Sequence, residues 1–358
     1  MNFSNDTMKK CLTYILALIA LGGCVREEAE RFLPNGDSMM TFGVPNVEHT
    51  RSTLITNANQ LQDGTSMGVY GMYEVGNEPI FTPNKTNYPQ EVTKSGSIWT
   101  YTPLAPWKQL MNHKFRAFYP YDPDGNGLSA VPAANIQQAM CNADRLVLDY
   151  YTQVNKFDLM VAYTTRHPYN ESQAGKNGTR AVEMPFKHAL SALRFKIKHG
   201  AAGGSDKLMG AYLKGISASG VLLYQSVDGN ISRGDWTLSP IYAENLYTWS
   251  STGKNFTNTV TATAFGDNDE EVIFAIPQQN QVGNVQFVFR TGDSSDTEVE
   301  LPGNVNADSD HVMDYVTWEP GKLYEYTVVV KGASLDVTVT IKEWDDYKSN
   351  VDVYIGND

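Results

Sequence analysis

The sequence predicts an all-β protein built from β-sandwiches, on three observations. Short runs alternating apolar and polar residues recur along the chain. Clusters of Gly, Pro, Asn and Asp separate them. Long apolar stripes at helical spacing are few. Many short strands joined by polar turns favour packed sheets over a parallel sheet with crossover helices.

Taken in chain order, Met39-Met40-Thr41-Phe42-Gly43-Val44 can form a first strand. Phe115 to Tyr119 reads as another. The stretch from Ala133 to Leu148 fits a short helix or a loop crossing. Leu193-Arg194-Phe195-Lys196-Ile197 alternates apolar and basic side chains, as a half-buried strand should. Strands follow at Val272 to Ile276, Val285 to Phe289, Tyr324 to Val330 and Leu335 to Ile341. Turns are expected at 122–127, 201–204, 228–230 and at Pro320-Gly321. The polar segment from Asn170 to Thr179 is a candidate linker. It divides the chain into residues 39–178 and residues 179–358, two domains as the length suggests.

The amino terminus has the layout of an export signal. Met8-Lys9-Lys10 is basic, and Cys11 to Leu21 is an uncharged apolar run. That run is shorter than the ~20 residues a membrane-spanning helix needs. Leu21-Gly22-Gly23-Cys24 closes it and resembles a lipobox, in which the cysteine thiol takes a diacylglyceryl group. Residues 1–23 are then a signal peptide and residues 24–38 a tether. Glu27, Glu28 and Glu30 suit a solvated tether, and they also resemble the acidic signal that sends such lipoproteins to the outer face of the outer membrane.

Net charge is −12, which argues against nucleic acid and against docking on anionic lipid. The three cysteines are Cys11 in the signal, Cys24 at its end and Cys141. Once Cys24 is acylated no internal disulfide is available, so stability rests on core area.

Catalytic and metal-binding patterns are missing. No two of the six histidines are spaced i, i+4, and none lies near a cysteine, so zinc is unsupported. His188, inside Phe186-Lys187-His188-Ala189-Leu190, reads as a structural histidine. No nucleophile elbow, P-loop or dinucleotide fingerprint occurs. Asp122-x-Asp124-x-Asn126-Gly127 matches the start of a calcium loop, but the bidentate glutamate position holds Ala133. The sequence implies no enzyme activity, cofactor or metal.

A set of separated motifs carries a family resemblance. In order they are Trp107, Phe115-Arg116-Ala117-Phe118-Tyr119-Pro120-Tyr121, Asp158-Leu159-Met160-Val161-Ala162, and the run from Val182 to Phe195. Ile276-Pro277-Gln278, the run from Pro320 to Tyr326, and Ile341-Lys342-Glu343-Trp344 complete it. Behind a lipobox, this order resembles the fimbrillin-like lipoproteins of Bacteroidetes, the subunits of type V pili. The resemblance implies two tandem transthyretin-like β-sandwich domains and surface delivery as a lipidated precursor. It also implies an arginine-specific protease that removes the first strand. The opened groove then takes a donor strand from a neighbouring subunit by β-strand addition.

The sequence offers matching parts. Cys24 is the lipidation site. Arg51 is the candidate processing site, because a cut there frees lipid, tether and the 39–44 strand together. Arg26 and Arg31 are alternatives that free only the tether. Val351, Val353 and Ile355 share one face of an alternating tail and form the candidate donor strand. The same pattern fits an ordinary edge strand. Expected partners are other pilus subunits and the outer membrane through the lipid. The competing function is a surface glycan-binding lipoprotein of a polysaccharide-uptake system, with Trp99, Trp107, Trp236, Trp249 and Trp318 as sugar-stacking candidates.

Overall fold

A computed structural model of the chain describes residues 39–43, 63–74, 78–81, 89–96, 98–108, 112–121, 145–151, 158–166, 181–200, 205–227, 230–231, 235–239, 246–257, 262–265, 272–292, 296–303, 314–331, 334–343 and 354–355. Every regular element among them is a strand. The first nine are β1 (Phe42–Gly43), β2 (Ser66–Tyr73), β3 (Gln90–Ser95), β4 (Ile98–Thr100), β5 (His113–Tyr119), β6 (Arg145–Tyr151), β7 (Met160–Arg166), β8 (Val182–Glu183) and β9 (Lys187–His188). There follow β10 (Ser191–His199), β11 (Ser205–Lys214), β12 (Ser219–Val227), β13 (Asn230–Ile231), β14 (Asp235–Leu238), β15 (Leu246–Thr257), β16 (Thr263–Ala264) and β17 (Ile273–Ala275). The last are β18 (Gln278–Gln281), β19 (Gln286–Thr291), β20 (Thr297–Glu300), β21 (Tyr315–Trp318), β22 (Lys322–Lys331), β23 (Ser334–Glu343) and β24 (Tyr354–Ile355).

The first sheet has eight strands in the order β8-β1-β4-β3-β2-β5-β7-β9. Its inward side chains follow the period of two: Met67, Val69 and Tyr73 on β2, Phe115, Ala117 and Tyr119 on β5, Met160 and Ala162 on β7. Phe42 on β1 meets Phe115 on β5 edge-to-face, with centroids 5.5 Å apart. Those strands are four places apart in the sheet, roughly 19 Å if it were flat. The sheet therefore curls until its own ends face each other across one core. Strands β8 and β9 lie at its two edges, yet only residues 184–186 separate them. Met184 and Phe186 in that link are buried in the same core. At the β2–β5 contact Gly68 lies opposite Phe118, and a Cβ there would fall 2.5 Å from the Phe118 ring.

Strands β5, from Phe115 to Tyr119, and β7, from Met160 to Ala162, are buried on both faces. Their other side chains, Phe118 and Val161, enter a second core with Leu146, Leu148 and Tyr150 of β6, and Leu222 and Tyr224 of β12. Ala189, Leu190, Ala192, Phe274, Ile276 and Leu323 complete it. Arg116 lies on this same face, 4.4 Å over the Tyr163 ring. Strand β6 pairs along its whole length with β12. The short helix or loop crossing expected up to Leu148 is thus corrected at residues 145–148, which are strand: Leu146, Leu148 and Tyr150 point one way at period two. Three pairings cross the sequence boundary between residues 178 and 179, since β8 and β9 join the first sheet and β6 joins β12. The reason is burial: Val182, Met184 and Phe186 alternate into the first core.

Two facing sheets enclose the third core. One runs β16-β10-β22-β23-β24 with β17 also on β10, and the other runs β15-β11-β19-β20. Leu193, Phe195 and Ile197 point inward from β10. Phe195 stacks on Phe287 at 4.3 Å and on Tyr326 at 5.0 Å. The alternating basic residues Arg194 and Lys196 take the opposite face, 3.3 and 2.9 Å from the Glu325 carboxylate. Strands β10 and β22 run parallel from Ala192↔Leu323 to His199↔Val330. Gly215 has φ +78° and abuts the Asn284 carbonyl, so a side chain has no place there.

Two outcomes follow from this core. Phe195→Ala should cost about 3–5 kcal/mol in urea unfolding, the usual cost of emptying an aromatic site. Burial raises the Glu325 carboxyl, but the Lys196 hydrogen bond and the charges of Lys196, Arg194 and Lys342 outweigh it and hold it below its ordinary 4.5. A depressed carboxylate contributes stability that is full above the ordinary value and is lost as pH falls through the folded one. Stability should therefore decline on acidification below pH 4.5, and Glu325→Gln should flatten part of that decline in an unfolding series against pH.

Candidate functional site at the first strand

The segment 39–43 is short, and it is held along both edges. On one side Met39 bridges Pro106, the Met40 amide donates to the Ala105 carbonyl at 2.9 Å, and Phe42 pairs antiparallel with Trp99. On the other side β1 runs parallel to β8. There the Val182 amide donates to the Thr41 carbonyl at 2.8 Å, and the Met184 amide to the Gly43 carbonyl at 2.9 Å. An incoming strand that replaced β1 would need the same direction to meet both edges in the same register.

Alternate side chains of the segment fill the core. Met40 is 0% exposed and Phe42 1%, while Thr41 and Gly43 are partly exposed on the other face. Phe42 fits among three rings: Phe81 at 6.3 Å, Tyr101 at 5.8 Å and Phe115 at 5.5 Å. Tyr101 is itself fixed, because its hydroxyl accepts the Ala105 amide at 3.1 Å. Burial pushes the Tyr101 phenol up to about 12, against the Ala105 hydrogen bond and with a small push from Tyr73, so this wall stays uncharged. Below it, the Lys108 amide donates to His113 Nε2 at 3.2 Å. The His113 ring meets Tyr73 and Trp107 edge-on.

Of the residues singled out by sequence, Met39, Met40, Thr41, Phe42 and Gly43 come together in this slot. Val44, Cys24, Arg51, Val351 and Val353 lie outside the described residues, as does the 122–127 loop. Ile355 is described in its backbone: β24 pairs antiparallel with β23, placing Ile355 opposite Val339 and Tyr354 opposite Thr340. The second edge of the slot, β8, was not anticipated. Its signal was present in Val182, Met184 and Phe186, which alternate, but nothing local says which strand such a segment will meet.

The other candidate chemistry resolves into packing. His188 Nδ1 stands 2.8 Å from the Asp158 carboxylate, both side chains sealed from solvent. Trp99 and Trp318 are buried, Trp236 donates its indole N–H to the Ala189 carbonyl at 2.9 Å, and Trp107 packs on His113 and Phe115. These four rings belong to cores and core margins rather than to a flat stacking platform. The Trp249 side chain lies outside the description. Among the described residues, no three His, Cys, Asp or Glu side chains gather as a metal site.

Comparison with known proteins agrees with this architecture. The profile of the fimbrillin-like family matches residues 50–344. A fimbrial protein from Bacteroides vulgatus is similar in structure, at 16% identity and a TM-score of 0.54, over 85% of this chain and 99% of that one. A candidate cell adhesion protein from Bacteroides uniformis gives 15% identity and a TM-score of 0.49, over 87% of this chain and 100% of that one. At 16% identity the likeness to the Bacteroides vulgatus protein concerns fold alone. No curated protein matches the chain.

Phe42→Ala should remove about 3–5 kcal/mol from the hold on the first strand. The expected signature is local. Amide exchange at Val182 and Met184, whose acceptors sit on that strand, should rise by roughly two to nearly four orders of magnitude, while exchange at Leu193 stays as it was. Uniform change across all three would show the slot to be part of one indivisible core.

Proposed function

The chain belongs to the fimbrillin-like family, and from that premise we propose that it is a structural or accessory subunit of a cell-surface pilus, assembled by donor-strand addition after lipidated export. One observation carries the reading. The first strand is paired along both edges, yet it is a short segment with two anchoring side chains, close to the amino-terminal end of the fold.

In this proposal residues 1–23 direct export, Cys24 receives the lipid and residues 24–38 tether the fold to the outer membrane. The two β-sandwich domains divide near residues 178 and 179, with Val182–His188 reaching back to close the first sheet. Cleavage after Arg51 by an arginine-specific protease detaches lipid, tether and β1 in one piece. Cleavage at Arg26 or Arg31 would leave β1 in its slot. The opened slot offers two backbone edges and two apolar pockets. A donor strand from another subunit fills them, main-chain hydrogen bonds giving affinity and alternate side chains giving fit. Val351, Val353 and Ile355 are this chain's own candidate donor. No step calls for catalysis or a cofactor.

Mass spectrometry of the amino terminus, on protein taken from cells, is the direct test. Diacylated Cys24 should mark precursor or anchor, and a start at Ser52 should mark polymerised subunit. Arg51→Ala should leave the chain lipidated and out of fibres. If that variant enters fibres with an intact β1, strand removal at Arg51 is not how this subunit assembles.

A further inference from the structure

The slot does more than accept any extended strand, and its walls state what it prefers. This inference rests on the strand-exchange reading above and names the ligand for it. Two inward positions matter, occupied here by Met40 and Phe42. The first takes a long unbranched side chain, fully buried. The second is bounded by Phe81, Tyr101 and Phe115, and the Phe42–Phe115 contact is edge-to-face at 85°. That is the arrangement a ring quadrupole favours, and an aliphatic side chain of similar volume does not reproduce it. The next position, Gly43, faces the other way and is partly exposed; a Cβ there would meet only the Ala181 Cβ, at an ordinary contact distance of 3.4 Å, so this position does not select for size.

The chain's own tail fits this frame in outline and underfills it. Val353-Tyr354-Ile355-Gly356 repeats the spacing of Met40-Thr41-Phe42-Gly43, with the glycine in the same place. Valine is shorter than methionine, and isoleucine brings no ring to Phe81, Tyr101 and Phe115. Shifting the tail by two residues places Val351 and Val353 inward, which fills the pockets less still.

We propose that the β1 slot is an aromatic-specific peptide site whose preferred occupant is an extended segment of a different subunit. That segment carries a Met- or Leu-sized residue and then a Phe-sized ring two positions on. It enters antiparallel to β4 and parallel to β8. The tail of a second copy of this chain is the weaker ligand, so the slot discriminates against self-addition.

The test uses the full chain with a specific protease site introduced at residues 52–57, cleaved after purification. A labelled peptide of residues 37–45 is bound to the cleaved chain, and unlabelled peptides compete for it. The Phe42→Ile form of that peptide should compete about tenfold or more weakly, and the natural tail peptide of residues 350–356 at least as weakly. Ile355→Phe in the tail peptide should recover most of the loss. A tail peptide equal to the residue 37–45 peptide, or a Phe42→Ile peptide equal to its parent, overturns the aromatic preference while leaving strand exchange standing. A cleaved chain that keeps its circular dichroism but never rebinds its own first strand overturns strand exchange, and the preference with it.

Discussion

Two amide hydrogen bonds, from Val182 to Thr41 and from Met184 to Gly43, hold the first sheet closed. Backbone groups inside a protein must be paired, and a sheet edge is where pairing runs out. The curled eight-stranded sheet brings its two ends together, and the 182–188 segment touches both: β8 beside β1, β9 beside β7. Strand β8 has β1 as its sheet neighbour, so what happens to β1 decides whether β8 is paired. Loss of β1 would expose the edges of β4 and β8 at once, together with the apolar pockets of Met40 and Phe42. Such an opening is unfavourable in water and favourable toward another strand. The same bonds that hold β1 in place would, under the proposed strand exchange, define what a partner strand must offer.

The second constraint is that β5 from Phe115 to Tyr119 and β7 from Met160 to Ala162 are buried on both faces. Phe115, Ala117 and Tyr119 serve the first core, Phe118 serves the second, and Arg116 shares that second face, covered by Tyr163. The second core draws on β6, β12, the start of β10 and Leu323. The Trp236 bond to the Ala189 carbonyl and the Gly321 amide bond to the Leu190 carbonyl tie the 189–190 corner to strands far along the chain. The slot is thus mounted on a wall packed from behind. A groove opened in front of a firm wall keeps its shape, which strand addition requires.

Much of this was legible in the residues, and what was not has a common cause. Leu335 to Ile341 and Tyr324 to Val330 announced themselves by period two, and both are strands of one hairpin. The apolar-basic alternation of Leu193 to Ile197 correctly separated the core face from the Glu325 face. The first strand was readable from Met40 and Phe42. The 145–148 stretch was not, because Leu146, Val147 and Leu148 are apolar in succession and periodicity cannot separate strand from helix in so short a run. Parallel pairing of β10 with β22, or of β1 with β8, joins segments far apart in sequence. Register between such segments is set by which side chains fill a shared core, a property of the folded whole.

The hold on β1 also explains why a covalent link matters more than contact strength. A strand anchored by two side chains and a few hydrogen bonds would dissociate readily as a separate peptide. Tied to the chain, it faces its slot at an effective concentration on the order of millimolar, so the slot stays filled. A cut in the connection changes no contact in the slot. It converts an intramolecular equilibrium into a bimolecular one, and dilution then empties the slot. If Arg51 is the processing site, as proposed, it would act as a timing device. Under the proposed cleavage at Arg51 a lipid on Cys24 would leave with the strand, so retention of the anchor and closure of the slot would be one event seen from two ends.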